Sequence, residues 1–437
     1  MNRLWVSALS GVMALTAAPA VAQQAGDSSP ATATCPDYLP DGTRCFKGQG
    51  PKGGYYWTAI PADWNGTLVV HSHGGPRTAT PAQDDPLEDL ERFSMVVREG
   101  YAWTGSTYRR GGYGVRMAAE DTDDVRQVFW DAFGRPQRTI LHGQSWGGNV
   151  AAKAAELYAR DAEGHVVWDG VVLSSGVLAG GTNAYTFRAD LRAVYQYYCQ
   201  NHPAANEPQY PLWQGLPMGS RLTRAALEER VKTCTGVGLP EANRTSEQKR
   251  KLANILNVVG ISENQLVSHL AWGTFLFRDL VQRRLDGLNP FDNSQTIYAG
   301  SDDDQALNAG VARFTADASA VARLSYDADL SGMIVAPTIT IHGKYDPTAF
   351  VWHQAAYRDR VEHAGRSDLL VQTFTEESAH SALSAPQYVA VFQALSAWLE
   401  DGSKPSPETI EARCDAASAR YDKPCLFDTT YRPEVPR

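Results

Sequence analysis

Hydrophobic positions along this chain switch period regularly, two-residue alternation giving way to a helical repeat and back. Tyr55–Ile60 and residues 67–71 read as strands, the second running into His71-Ser72-His73-Gly74-Gly75-Pro76. A helical stretch covers 87–99, and 101–107 read as a third strand. Over 121–133, Val125, Val128, Phe129 and Ala132 share one face, acids fill the first turn, and Gly134 with Pro136 supplies a stop, which predicts a helix. Thr139-Ile140-Leu141 enters the next strand. Ala151, Ala152, Ala154 and Ala155 then give a helix face small enough to lie close on a sheet, and 166–175 read as a further strand.

The alternation breaks at residue 181. From there to 332 the chain holds helical patterns joined by loops, rich in aromatics. Alternation resumes at 337–343, followed by Asp346, an α/β segment over 357–374 and a closing helix over 386–399. The expected architecture is α/β: a doubly wound, mostly parallel sheet in two parts, 23–180 and 333–400. A mainly helical cap, 181–332, is inserted between the sixth and seventh core strands, and 401–437 form a clamped surface extension. With 437 residues and 43% hydrophobic content, the chain is long enough for such a core and insertion.

The chemistry concentrates in Gly143-Gln144-Ser145-Trp146-Gly147-Gly148, at a junction of strand and helix. A nucleophile elbow needs this composition. Its serine takes a strained backbone conformation, and a Cβ two positions before or after would collide with the adjoining strand or helix. The helix that follows aims its N-terminal amides at the serine, where they stabilise negative charge. As a bare pattern the motif also describes an ordinary tight turn; the flanking elements favour the elbow.

In chain order, strand–His-Gly-Gly, Gly-X-Ser-X-Gly, a late strand followed by Asp, and a final-loop His resemble the α/β-hydrolase superfamily, over residues 50–180 and 333–400. Within it, His73-Gly74-Gly75-Pro76 and the Ser145 motif are similar to the proline iminopeptidase group. That group usually continues the first motif with another glycine, where this chain has Arg77. The resemblance implies an α/β-hydrolase fold and a Ser-His-Asp triad. Ser145 is the expected nucleophile, and His380, in Glu377-Ser378-Ala379-His380-Ser381, the expected base. Asp346 would hold the imidazole in the correct tautomer. The N–H of Trp146, with one from Gly74 or Gly75, is expected to bind the oxyanion; Pro76 has no N–H to offer. Among the other histidines, His353 and His363 read as surface residues, His142 and His342 as supports at strand ends, and His71 and His73 as structural.

A net charge of −9 leaves no basic surface for nucleic acid or an acidic membrane. Asn2-Arg3, an apolar run over 4–17 and Ala20-Val21-Ala22 read as a signal peptide over 1–22, with a disordered lead over 23–34. The run is too short and alanine-rich for a membrane anchor, so a secreted or periplasmic location is expected. Cysteines 35, 45, 199, 234, 414 and 425 fit export. Local pairing, 35–45, 199–234 and 414–425, needs the least chain rearrangement.

The functional expectation is an exported serine hydrolase that cleaves a small or polymeric carboxylic ester through an acyl-enzyme. No metal or organic cofactor is implied, and oligomeric state stays open. The runner-up is an aminopeptidase of the proline iminopeptidase type, for which Glu228-Glu229 is the adjacent glutamate pair in the cap. An acyltransferase and a non-catalytic binding module are further alternatives. Arg109 and Arg110 read as a solvated loop rather than a carboxylate site. Asp302-Asp303-Asp304 reads as a turn or helix start rather than a calcium loop. Tyr195, Tyr197, Tyr198, Trp213, Trp272, Phe275 and Phe277 read mostly as cap core, with one or two lining a pocket.

Overall fold

Runs such as Thr67–Ser72 and Thr338–Gly343 are buried along their whole length, as strands covered on both faces must be. The computed structural model describes residues 28–435; the signal-peptide reading of 1–22 lies outside them. The strands are β1 (Ala31–Ala33), β2 (Arg44–Gln49), β3 (Tyr55–Ile60), β4 (Thr67–Ser72), β5 (Ala102–Ser106), β6 (Arg138–Gln144), β7 (Gly170–Ser174), β8 (Thr338–Gly343) and β9 (Leu370–Thr375). They form one sheet in the order β1-β2-β3-β5-β4-β6-β7-β8-β9. The pairs β1–β2, β2–β3 and β3–β5 are antiparallel, and all later ones parallel. This is the α/β-hydrolase fold.

Alternation along the central strands divides the core. Leu68, Val70 and Leu141 pack with Val125, Phe129 and Val150 of helices α3 (Val115–Phe133) and α4 (Trp146–Leu157). Val69, Ile140 and Val172 turn to the opposite face, against Phe93, Val391 and Leu395. That side is covered by α1 (Pro86–Arg92), α2 (Ser94–Arg98) and the closing helix Ala385–Asp401.

Between β7 and β8 run α5 (Gly180–Asn183), α6 (Thr186–Cys199) and further helices including Arg224–Thr235, Ser246–Val259 and Glu263–Ala271, with no strand in this segment. Leu191, Val194, Tyr195, Val231, Ile255 and Leu270 give it a core of its own. Three disulfides join Cys35 to Cys45, Cys199 to Cys234 and Cys414 to Cys425. Among the described residues no helix is long and apolar enough to cross a membrane.

Several elements differ from the sequence expectation. Residues 31–33, expected in a disordered lead, pair as β1 with Cys45, Phe46 and Lys47. The helix expected from 121 begins at Val115, because its first amides are capped from a distance: Asp327 accepts from Val115 and Arg116 N–H at 3.0 and 3.2 Å. Its acids therefore lie beyond the first turn, where Asp121 and Asp124 pair with Arg109 and Lys52. The stretch 87–99 is two helices divided at Phe93, and β7 starts only at Gly170. The tail is packed rather than peripheral: helix Pro407–Tyr421 buries Ile410 and Cys414 completely. His353, expected at the surface, is buried.

Candidate active site

The parallel strands end together. Ser72 of β4 registers with Gly143 of β6, and Gln144 with Ser174 of β7, so the loops that follow share one edge of the sheet. Ser145 sits there between β6 and α4 with φ 59° and ψ −124°, a strained conformation for a residue with a side chain. Neighbouring glycines make it possible. A Cβ on Gly143 would lie 2.2 Å from Gly147 O, and one on Gly147 2.1 Å from Ser72 O.

Residues far apart in sequence meet at this apex. His380 Nε2 lies 2.7 Å from Ser145 Oγ, and His380 Nδ1 lies 2.9 and 2.8 Å from the two oxygens of Asp346. A carboxylate can only accept, so Nδ1 carries the proton and Nε2 is left to accept from the serine hydroxyl. Asp346 is fixed in turn by Thr348 and Ala349 N–H at 2.8 and 2.9 Å. Its side chain is 1% exposed. Burial alone raises its pKa, but the hydrogen bond and charge of His380 outweigh that and hold it below the ordinary carboxylate value.

Trp146 is the first residue of α4, so its N–H has no intrahelical acceptor. Gly74 and Gly75 follow β4 and line the same cavity as Ser145 and Trp146. His73 braces their loop: its ring nitrogens lie 2.8 Å from Gly74 O and 3.2 Å from Thr107 O, and it stacks on Tyr108. Behind it, His71 Nδ1 is 3.0 Å from His142 Nδ1, and Asp89 lies 3.7 Å from His71 Nε2. Gln144 is bonded to Ser381, which ties the elbow to the His380 loop.

The cavity over Ser145 has a volume of about 350 Å³ and reaches from the His73–Arg77 loop to Tyr185, Arg188 and Trp272 of the inserted helices. Of the aromatics singled out in the sequence, Trp272 lines it. Arg109 does not: its guanidinium donates to Asp121 and Glu120 at 2.6 and 2.7 Å, an ion pair rather than the expected solvated loop. Glu228 and Glu229 lie on helix Arg224–Thr235, outside the cavity, paired with Arg224 and Lys232. The carboxylates that do line it, Glu88 and Asp89, face Arg77 at 2.9 and 3.7 Å. Asp303 caps helix Asp304–Gly310, and Asp302 pairs with Arg250. Sequence reasoning passed over Arg188. Its signal was its position on α6, on the face of Leu191 and Tyr195 where an apolar residue is expected.

No family model matches this chain. It is similar to the o-phthalyl amidase of Xanthobacter agilis, 26% identical over 119 residues, 26% of this chain and 25% of that protein. The match thus spans a quarter of the relative's length. Among solved structures it is similar to an esterase from Aspergillus oryzae, with TM-score 0.44 and 12% identity, covering 83% of this chain and 81% of the esterase. Lipase A of Candida antarctica aligns with TM-score 0.42 and 12% identity over 83% of this chain and 78% of the lipase.

Proposed function

We propose that this protein is an exported serine hydrolase that cleaves carboxylic esters through an acyl-enzyme. The observation that carries the reading is the chain of contacts from Ser145 through His380 to Asp346, at 2.7 and 2.8 Å. Ser145 Oγ attacks the acyl carbon while His380 Nε2 takes its proton. The tetrahedral oxyanion forms against the N–H groups of Trp146 and of Gly74 or Gly75. His380 returns the proton to the departing alcohol, then activates the water that releases the acid. Asp346 holds the imidazole tautomer and offsets its positive charge. The inserted helices of 181–332 act as the cap that shapes the substrate site.

Ester is preferred over peptide because an aminopeptidase needs free carboxylates to hold the substrate's ammonium group, and Glu88 and Asp89 are engaged by Arg77. A second reading, amide cleavage by the same triad, is favoured by the sequence similarity to a protein named as an amidase. Three disulfides support export. The test is a matched panel of p-nitrophenyl esters, neutral arylamides, and prolyl and alanyl arylamides, with Ser145→Ala as control. Ester turnover with silent arylamides is expected. Cleavage of free-amine arylamides with weak ester activity would move the assignment to an aminopeptidase. Full activity in Ser145→Ala would overturn the nucleophile.

A further inference from the structure

Arg188 is an unusual wall for a hydrolase cavity. It is 3% exposed, yet no carboxylate among the described residues forms an ion pair with it. A buried guanidinium without a counter-charge is costly, so such groups are normally paired. Of its five donors, Nη1 reaches Ala184 O and Nη2 reaches Thr348 O, both at 3.3 Å, and Nε has no partner. Trp272 and Phe187 flank it, each ring centred 4.5 Å from the guanidinium carbon. Burial pulls its pKa down to about 9, which leaves it charged at neutral pH.

Arg188 lines the same cavity as Ser145, His380 and Trp272. The other cations there do not need a ligand in the same way: Arg77 is paired with Glu88 and Asp89, and Arg92 is exposed to solvent. Arg192, one turn further along α6, is as deeply buried and also lacks an acid. Its Nη1, however, donates to Gly215 O, Gly273 O and Thr274 Oγ1 within the cap, and it does not line the cavity. Among the described residues, Arg188 alone combines a buried charge lacking an acidic partner with a place on the wall of the Ser145 cavity.

We propose that Arg188 is the specificity residue of this site and binds an ionised carboxylate carried by the substrate, so that the preferred esters bear a second carboxylate away from the scissile bond. A carboxylate supplies two acceptors in the plane of the guanidinium and the missing counter-charge, which a neutral acyl or alkyl group cannot. Selectivity then comes from the difference in binding between anionic and neutral esters, because a neutral substrate leaves the buried charge unpaired. The inference rests on the serine hydrolase reading above.

The test uses charge-matched pairs in a pH-stat. One arm sets the monomethyl esters of succinic to adipic acid against methyl esters of the length-matched monocarboxylic acids. The other sets acetoxy-carboxylates against matching alkyl acetates. In one arm the wild-type protein is expected to prefer the anionic ester by at least tenfold in kcat/KM, mainly through KM. Arg188→Met should reduce that preference by about ten- to a hundredfold, the range set by losing one desolvated ion pair, and Arg188→Lys should restore part of it. Turnover of neutral esters with no anionic preference in either arm would overturn the inference and leave the hydrolase reading intact. So would an Arg188→Met that lowers both members of each pair equally. Separately, calorimetric titration of Ser145→Ala with adipate is expected to give binding that 1,6-hexanediol does not; equal or absent binding would also overturn it. If diethyl p-nitrophenyl phosphate does not phosphorylate Ser145 and no ester turns over, it is the hydrolase reading that fails, and the titration still decides the carboxylate subsite.

Discussion

Gly147→Ala is the sharpest local perturbation of the elbow. The added Cβ would lie 2.1 Å from Ser72 O and 2.4 Å from His73 O. A carbon and an oxygen rest at roughly 3.3 Å without bonding, so about 1 Å of movement is required. Both oxygens belong to backbone rather than to flexible side-chain ends. Ser72 is locked in register between β5 and β6, and the neighbouring His73 is braced by Thr107 and Tyr108. The start of α4 must therefore withdraw from the His73–Gly75 loop, which separates the two sources of oxyanion donors. Overpacking of this kind costs about 3 kcal/mol, and a displacement near 1 Å costs about a hundredfold in rate. Urea unfolding and kcat/KM toward p-nitrophenyl acetate measure the two effects. Gly219→Ala is the control, since nothing lies within 4 Å of a Cβ there. A Gly147→Ala protein that loses under about 1 kcal/mol and stays within threefold of wild-type kcat/KM would refute the close-approach reasoning.

Asp346→Asn should lower kcat by about 10⁴-fold with the fold intact by circular dichroism, because an amide nitrogen facing Nδ1 favours the wrong imidazole tautomer. Stability should fall on acidification. His269 and His202 have pKa values lowered from 6.5 to about 3 and about 2, first by burial and then by the charges of Arg188 for His269, and of Arg192 and Arg230 for His202. The unfolded chain takes up protons first as pH falls, so their contribution is intact above 6.5 and is lost progressively below it. At pH 5 each costs about 2 kcal/mol, which denaturant titrations at pH 7.5 and 5 would resolve; a flat profile would contradict the buried neutral assignment.

Much of the fold was legible because its signals are local. Gly143 is demanded by Gly147 O within the elbow itself, whereas Gly147 is demanded by the distant backbone of Ser72 and His73, and the strands around Ser145 carry short apolar cores, Leu68-Val69-Val70 and Ile140-Leu141, buried on both faces. What the sequence concealed depends on partners far away in the chain. The true start of α3 is set by Asp327, 212 residues beyond Val115, so the acids from Glu120 onward mimic a first turn. β1 exists because Ala31–Ala33 pairs along β2, which no alternation in three small residues announces. The apex brings Asp346 and His380 to Ser145 across 201 and 235 residues of chain. Arg188 escaped notice because its meaning lies in what it lacks, a counter-charge, and only the packing of α6 against Trp272 and Thr348 exposes that lack.

The most direct test of the central claim is covalent. Incubation with diethyl p-nitrophenyl phosphate, followed by intact mass measurement and peptide mapping, reads out an activated serine without assuming a substrate. One diethylphosphoryl adduct is expected, on the peptide containing Ser145, formed rapidly in the wild-type protein and lost in His380→Ala. No adduct, or an adduct on another residue that survives His380→Ala, would contradict the proposal that Ser145 is a nucleophile activated by His380.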